Sequence, residues 1–122
     1  KAITTNKIPE AFINWWISLM NDTDTMRNER ELIRHGLSPR GMQPELIIPD
    51  ATIQSFTFPT YFYWGADDPF GTTTFATGLV GGMQNAQLDI RPDFGHLPWF
   101  DDPQDASTRV RAFLQQHQLV VN

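Results

Sequence analysis

Cysteine is absent from this chain of 122 residues. That absence excludes a disulfide framework, a thiolate zinc site and a cysteine nucleophile, and it suits a reducing, cytoplasmic location. Long apolar runs are missing too. The most hydrophobic stretch, AFINWWISLM at 11–20, is too short to span a bilayer, so no membrane span is expected. Positive charge is scarce: nine basic against fourteen acidic side chains leave a formal charge of -5, with no basic stripe to gather a phosphate backbone. A nucleic-acid partner is therefore not expected. Neither G-x-G-x-x-G nor a P-loop occurs, which removes the usual nucleotide signatures. The amino end, KAITTNKIPE, has none of the regions of a signal peptide and no initiator methionine, so it is expected to be a cut or processed end.

What is present amounts to one modest core, since a chain of this length buries roughly two-thirds of its surface on folding. Pro9 followed by EAFINWWISLM, with Phe12, Trp15, Trp16 and Leu19 at helical spacing, predicts a helix over 9–21. Trp15 and Trp16 are expected to serve packing rather than a substrate cavity. A second helix is expected over 24–35, with Asp22 or Asp24 as its cap, Met26, Leu32 and Ile33 as its apolar stripe and Gly36 as its stop. Pro39, Gly41, Pro44 and Pro49 predict a loop from Leu37 to Ala51 that joins two structural parts.

Beyond it the composition changes. SFTFPTYFYW is rich in aromatic and β-branched residues and runs into GADDPFG, which predicts a strand over 56–64 entering a loop, with Pro59 marking its beginning. TTTFATGLVGGM follows as a helix, carried by Phe75, Leu79 and Met83 despite its glycines. Leu88 and Ile90 alternate with polar residues in AQLDIRPDFG, giving a short strand before Pro92. Asp102, Pro103 and Asp105 then combine a cap, a first-turn proline and an acidic first turn, so a final helix should reach about Gln116. Strand, helix, strand, helix is the order of a parallel βαβα unit, and ligands of such sheets gather at the carboxyl ends of the strands. The loops GADDPFG and PDFGHLPWFDD both fall on that edge.

Those two loops hold the candidate chemistry. A histidine acting as general base needs a fixed tautomer and a partner that stabilises its cation, and a hydrogen-bonded carboxylate supplies both. Asp67 and Asp68 stand at one strand end and His96 at the next, so either carboxylate is within the histidine's neighbourhood. Other acids have plainer readings. Asp93, Asp101 and Asp102 suggest a metal, but Asp102 already caps a helix and no second histidine joins them, so no metal is expected. Asp22 and Asp24 begin like a calcium loop, yet Met26 and Arg27 stand where a ligand and a glycine are needed. His35 and His117 suit helix C-terminal ends, where they complement the dipole.

PTYFYWGADDPFG, followed by FGHLPWFDDP and a terminal amphipathic helix, resembles the acid and histidine segments of the α/β-hydrolase family over about 51–118. The resemblance implies an α/β fold: the C-terminal βαβα portion of an α/β-hydrolase over 51–122, preceded by a helical cap or lid segment over 1–50. It places the catalytic acid at Asp68, with Asp67 as the alternative, and the catalytic histidine at His96. Phe70 and Leu97, which flank them, would border a substrate pocket. The implied function is that of an esterase-type or C–C-bond hydrolase acting on a small apolar or aromatic substrate, without a cofactor. One part of the pattern is missing: none of Ser18, Ser38, Ser55 and Ser107 lies in a G-x-S-x-G elbow. The nucleophile is therefore expected upstream of Lys1, and the chain alone is expected to be inactive. A noncatalytic ligand-binding relative and a small interaction domain of the same topology are the alternatives. If the fold is as expected, the strand at 56–64 lacks its inner neighbour, and an apolar edge of that kind invites a homo-oligomer.

Overall fold

A computed structural model describes residues 3–4, 8–38, 41–44 and 47–118. The chain divides into two compact units, Ile8–Pro49 and Lys1–Lys7 together with Asp50–Asn122.

In the first unit, helix α1 spans Glu10–Asp22 and helix α2 spans Thr25–Gly36. Pro9 stands one residue outside α1, at φ -58°, and its carbonyl receives the amides of Phe12 and Ile13 at 3.0 and 3.2 Å. Proline's fixed φ suits this entry and its missing N–H costs nothing there. Phe12, Trp15 and Trp16 form an aromatic cluster with ring centroids 5.3 to 6.4 Å apart. The rings pack on one another, yet both tryptophans stay about half exposed, so the cluster is no sealed core. Met26, Leu32 and Ile33 of α2 likewise remain on the surface. The turn into α2 is made by Thr23, whose hydroxyl accepts the Thr25 amide at 3.2 Å, while Asp24 pairs with Arg27 at 3.0 Å. The span expected as plain loop contains a small antiparallel hairpin of β1 (Leu37–Ser38) and β2 (Gly41–Met42) and, at the start of the next unit, a short helix α3 (Asp50–Gln54). Two-residue strands and a single helical turn are too short to leave a periodicity in the sequence.

The second unit is built on two parallel strands, β3 (Thr60–Gly65) and β4 (Ala86–Arg91), paired from Thr60 opposite Ala86 to Gly65 opposite Arg91. The strand begins at Thr60 rather than at 56, because Ser55 and Phe56 close the end of α3 by turning back to Ala51 and Ile53, and Pro59 offers no amide to a ladder. Helix α4 (Thr73–Gly81) makes the crossover, capped by Thr72, whose hydroxyl accepts the Phe75 amide at 3.1 Å. A short helix α5 (Pro98–Asp101) follows β4, and α6 (Pro103–Gln116) ends the unit. As expected, Asp102 caps α6 through the Asp105 amide at 2.9 Å, with Pro103 in the first turn. None of the described helices is long and apolar enough to cross a membrane.

The two faces of this small sheet differ because successive strand residues point to opposite sides. Phe62, Trp64, Leu88 and Ile90 share one face; Tyr61, Tyr63, Asp89 and Arg91 share the other, and there they meet α6. The Tyr61 hydroxyl donates to Asp89 at 3.0 Å and the Tyr63 hydroxyl to Asp105 at 2.8 Å. Arg109 joins both acids, with Nε 2.8 Å from Asp105 and Nη1 2.6 Å from Asp89. Arg91 Nε lies 3.0 Å from Asp105 but is not aimed at it, so this contact is ionic rather than a hydrogen bond. Burial, then the bond to Asp89, pushes the Tyr61 phenol up to about 12. Burial and the bond to Asp105 raise Tyr63 as well, so both phenols stay protonated donors. Parallel strands are ordinarily apolar on both faces, so this polar network, in which Arg91 Nε alone of the buried polar side-chain atoms among the described residues makes no hydrogen bond, is a costly layer that fixes where α6 lies on the sheet. Tyr61 also stacks on the buried Phe113 ring at 5.2 Å.

Among the described residues β3 pairs on one side alone, with β4, and an unpaired strand edge of this kind invites pairing. Sedimentation of the purified chain at rising concentration is expected to show a homo-oligomer; a monomer across the range would remove that expectation.

Candidate functional site

The carboxyl ends of β3 and β4 approach so closely that their loops share hydrogen bonds. The Ala66 amide donates to Arg91 O and the Asp67 amide to Phe94 O, each at 2.9 Å. Gly65 is what permits this approach. A Cβ there would stand 2.0 Å from Gly95 O and 2.4 Å from Phe94 O, both backbone atoms with nowhere to go. On the other side of the acid loop, Trp64 Nε1 donates to Gly71 O at 3.1 Å, and a Cβ on Gly71 would strike the same indole at 2.4 Å. The tryptophan therefore serves as a strut that folds the loop back over the strand end.

Asp68 sits in this loop and is only 6% exposed. Its two oxygens have separate tasks. Oδ1 accepts the amides of Phe70 at 2.7 Å and Gly71 at 3.2 Å, which locks the carboxylate to its own turn. Oδ2 lies 2.8 Å from His96 Nδ1. Burial pushes the Asp68 carboxyl up, but the hydrogen bond with His96, the Phe70 amide, the histidine's charge and the Gly71 amide outweigh it, holding the group below the usual carboxylate range. An ionised carboxylate can only accept, so Nδ1 carries the proton and donates, and the lone pair of the neutral ring lies on Nε2. His96 is 44% exposed by side chain, and Nε2 has no polar partner among the described residues. The arrangement presents a basic nitrogen outward from a ring held in one tautomer.

The resemblance places the acid at Asp68, with Asp67 as the alternative, and Asp68 is the one that meets the histidine. Successive residues face different ways, and the Asp67 carboxylate has no polar partner among the described residues. Its amide, rather than its side chain, ties the two loops together. Phe70 is 74% exposed and crosses the His96 ring at 72° with centroids 4.8 Å apart. Leu97 is half-buried beside the histidine, and its amide donates to Ile3 O at 2.8 Å. His35 pairs with Glu31 at 3.1 Å, whereas His117 closes α6 against Phe113, with rings 4.6 Å apart. Among the described residues no three metal-ligating side chains converge. Asp93 is exposed at the loop tip with φ 62°.

Two residues of this site were not singled out in the sequence. Gly65 reads there as one more turn glycine, because its need arises from a loop that lies far along the chain. Asp101 entered only the metal reading; in the structure it is a buried carboxylate that accepts the Gly95 amide at 2.7 Å and the Thr4 hydroxyl.

The low folded-state pKa of Asp68 carries a pH dependence. A carboxyl lowered on folding contributes stability that is present above its ordinary value, near 3.8, and is lost as pH falls through the depressed one. Asp68→Asn is therefore expected to flatten the acid limb of stability, measured as the urea midpoint between about pH 6 and pH 2. Parallel limbs in the two proteins would show that the pair contributes nothing to it.

No protein-family model matches the chain, and no curated protein matches it. Solved structures do. The chain superposes with a TM-score of 0.78 on a serine hydrolase involved in carbazole degradation, the CarC enzyme, at 23% identity, covering 95% of this chain and 44% of that one. It superposes at 0.65 on 2-hydroxy-6-oxo-6-phenylhexa-2,4-dienoate hydrolase from Rhodococcus sp. strain RHA1, at 16% identity over 87% of this chain and 37% of that one. For a membrane phospholipase A described as a bacterial virulence factor the TM-score is 0.64, at 16% identity, covering 97% and 36%. The chain thus spans less than half the length of each. Parallel strands with their loops crossing at one edge, terminal helices and these likenesses together give the chain the fold of the C-terminal part of an α/β-hydrolase.

Proposed function

We propose that this chain is the acid and histidine half of a hydrolase that works through a Ser-His-Asp triad, with Ile8–Pro49 as its cap segment. The observation that carries the reading is the pair itself: a buried, ionised Asp68 bonded to His96 Nδ1 at 2.8 Å, with Nε2 turned outward at the carboxyl edge of parallel strands. In the reaction a serine hydroxyl supplied from upstream of Lys1 donates its proton to Nε2 while its oxygen attacks the substrate carbonyl. The imidazolium formed is stabilised by Asp68, and His96 then gives the proton to the leaving group. A water follows the same course in the second half, releasing the acid and restoring the serine. Developing negative charge on the carbonyl oxygen needs amide donors that belong to the same missing half.

Phe70 and Leu97 border the position the substrate would take, and their apolar surfaces favour a small apolar or aromatic acyl group. The hydrolase names of the superposable structures support the reaction class, and those of the first two above favour an esterase-type or C–C-bond hydrolase. The test is to express the chain with its upstream coding sequence and to assay a panel of aryl esters and vinylogous diketones. Turnover by the longer protein and none by residues 1–122 alone is the expected result. A longer protein that carries a serine elbow, binds these compounds and leaves them intact would replace this reading with a noncatalytic ligand-binding one.

A further inference from the structure

We propose that Asp101 is a positioning residue for His96, acting by gripping the Phe94–Gly95 peptide group, one peptide before the histidine. The inference rests on the reading of His96 as the general base.

The peptide linking Phe94 to Gly95 is a rigid plane with one acceptor on one edge and one donor on the other. Both edges are held. Phe94 O accepts the Asp67 amide at 2.9 Å, from the loop that carries the acid, and the Gly95 N–H donates to Asp101 Oδ2 at 2.7 Å. The same plane lies against Gly65, where no side chain could be accommodated. It is therefore clamped by the acid loop on one side and by a carboxylate on the other, one residue before the ring that must meet Asp68.

The carboxylate is costly where it stands. Asp101 is 7% exposed, and a polar group buried so deeply is costly unless it is hydrogen-bonded. The Gly95 amide donates to Oδ2 and the Thr4 hydroxyl to Oδ1, so each oxygen accepts a bond. Asp101 is also the last residue of α5, the single turn that begins just after Leu97. The bond from Asp101 back to Gly95 thus closes a ring of chain around His96 and Leu97, with Asp102 next in line as the cap of α6. Through that continuity the polar layer that seats α6 on the sheet also seats the histidine loop. Removing the acceptor frees the plane to rotate, and because the Gly95–His96 peptide is joined to it at the Gly95 Cα, the 2.8 Å contact of His96 with Asp68 is lost before the strands separate.

The experiment uses the full chain labelled with nitrogen-15, comparing Asp101→Ala and Asp101→Asn with the parent. In Asp101→Ala the Gly95 amide should exchange with solvent at least roughly tenfold faster, while the amides of Phe62 and Leu88 in the strands keep their protection. The His96 Nδ1 proton, held in its bond to Asp68, should disappear from the proton spectrum at the same time. Asp101→Asn keeps the shape and an acceptor oxygen for Gly95, and should restore both signals. An Asp101→Ala protein in which strand and Gly95 protection fall together while the His96 proton persists would reduce Asp101 to general stability and overturn the proposal. Should Asp101→Ala fail to fold, Asp101→Asn decides: loss of the His96 proton in that folded variant overturns it, and retention supports an acceptor, not a charge, as the requirement. None of these signals depends on catalysis, so failure of the hydrolase reading would appear separately, as an inactive longer protein with the His96 proton intact.

Discussion

In a longer protein that supplies the nucleophile, Asp68→Asn lowers kcat by roughly 10⁴-fold, and His96→Ala lowers it at least as far. The asparagine has nearly the same shape, so the effect comes from the proton. Asp68 Oδ2 is an acceptor 2.8 Å from Nδ1 and so keeps the imidazole proton there. An amide nitrogen in its place is a donor, which favours the tautomer with the proton on Nε2 and leaves nothing to accept the serine proton. The carboxylate's stabilisation of the imidazolium is lost as well. Asp67→Asn should change kcat less than about threefold, since the Asp67 amide and not its carboxylate joins the loops. Steady-state rates with one activated ester decide the matter; a larger loss at Asp67 than at Asp68 would reassign the acid.

The largest structural effect is expected at Gly65. Gly65→Ala places a methyl 2.0 Å from Gly95 O and 2.4 Å from Phe94 O. Both are main-chain oxygens of the loop that holds His96, so relief requires the loop to withdraw from the strand end. That withdrawal breaks the Asp67 to Phe94 bond, loosens Asp101 from Gly95 and carries His96 away from Asp68. A loss of about 3 kcal/mol or more is expected, at the upper end of overpacking. Denaturant titration gives the stability, and the His96 Nδ1 proton reports the pairing. A variant within about 1 kcal/mol of the parent, with that proton unchanged, would show that the loops are less tightly apposed than the distances require.

Much of the fold could be read from local chemistry. Helices α1, α2 and α6 announce themselves through proline at the entry, capping side chains and apolar spacing, all of which act within a few residues. The alternation of strand, helix and strand implies parallel pairing, because a strand cannot return beside its predecessor without a crossover. From that order alone the acid and histidine loops had to lie on one edge. The one-turn helices α3 and α5 and the hairpin of β1 with β2 left no such mark; their hydrogen bonds run between residues too few to repeat.

The site divides the same way. GADDPFG and FGHLPW name the chemical groups, and the chain order brings them near one another. Which aspartate meets the histidine depends on the direction each side chain takes as the strand ends, and that direction is set by Trp64 holding Gly71 and by the amides of Phe70 and Gly71 on Asp68. The need for glycine at 65 and for a buried acid at 101 depends on contacts with Gly95 and Phe94, whose position exists only once the two strands have paired. Short-range rules of capping, turns and periodicity reach a few residues along the chain; close approach and hydrogen-bond satisfaction are properties of neighbours in space. The residue types of the acid and histidine pair are therefore legible in the linear order, whereas their pairing, tautomer and support come from the packing of one loop against another.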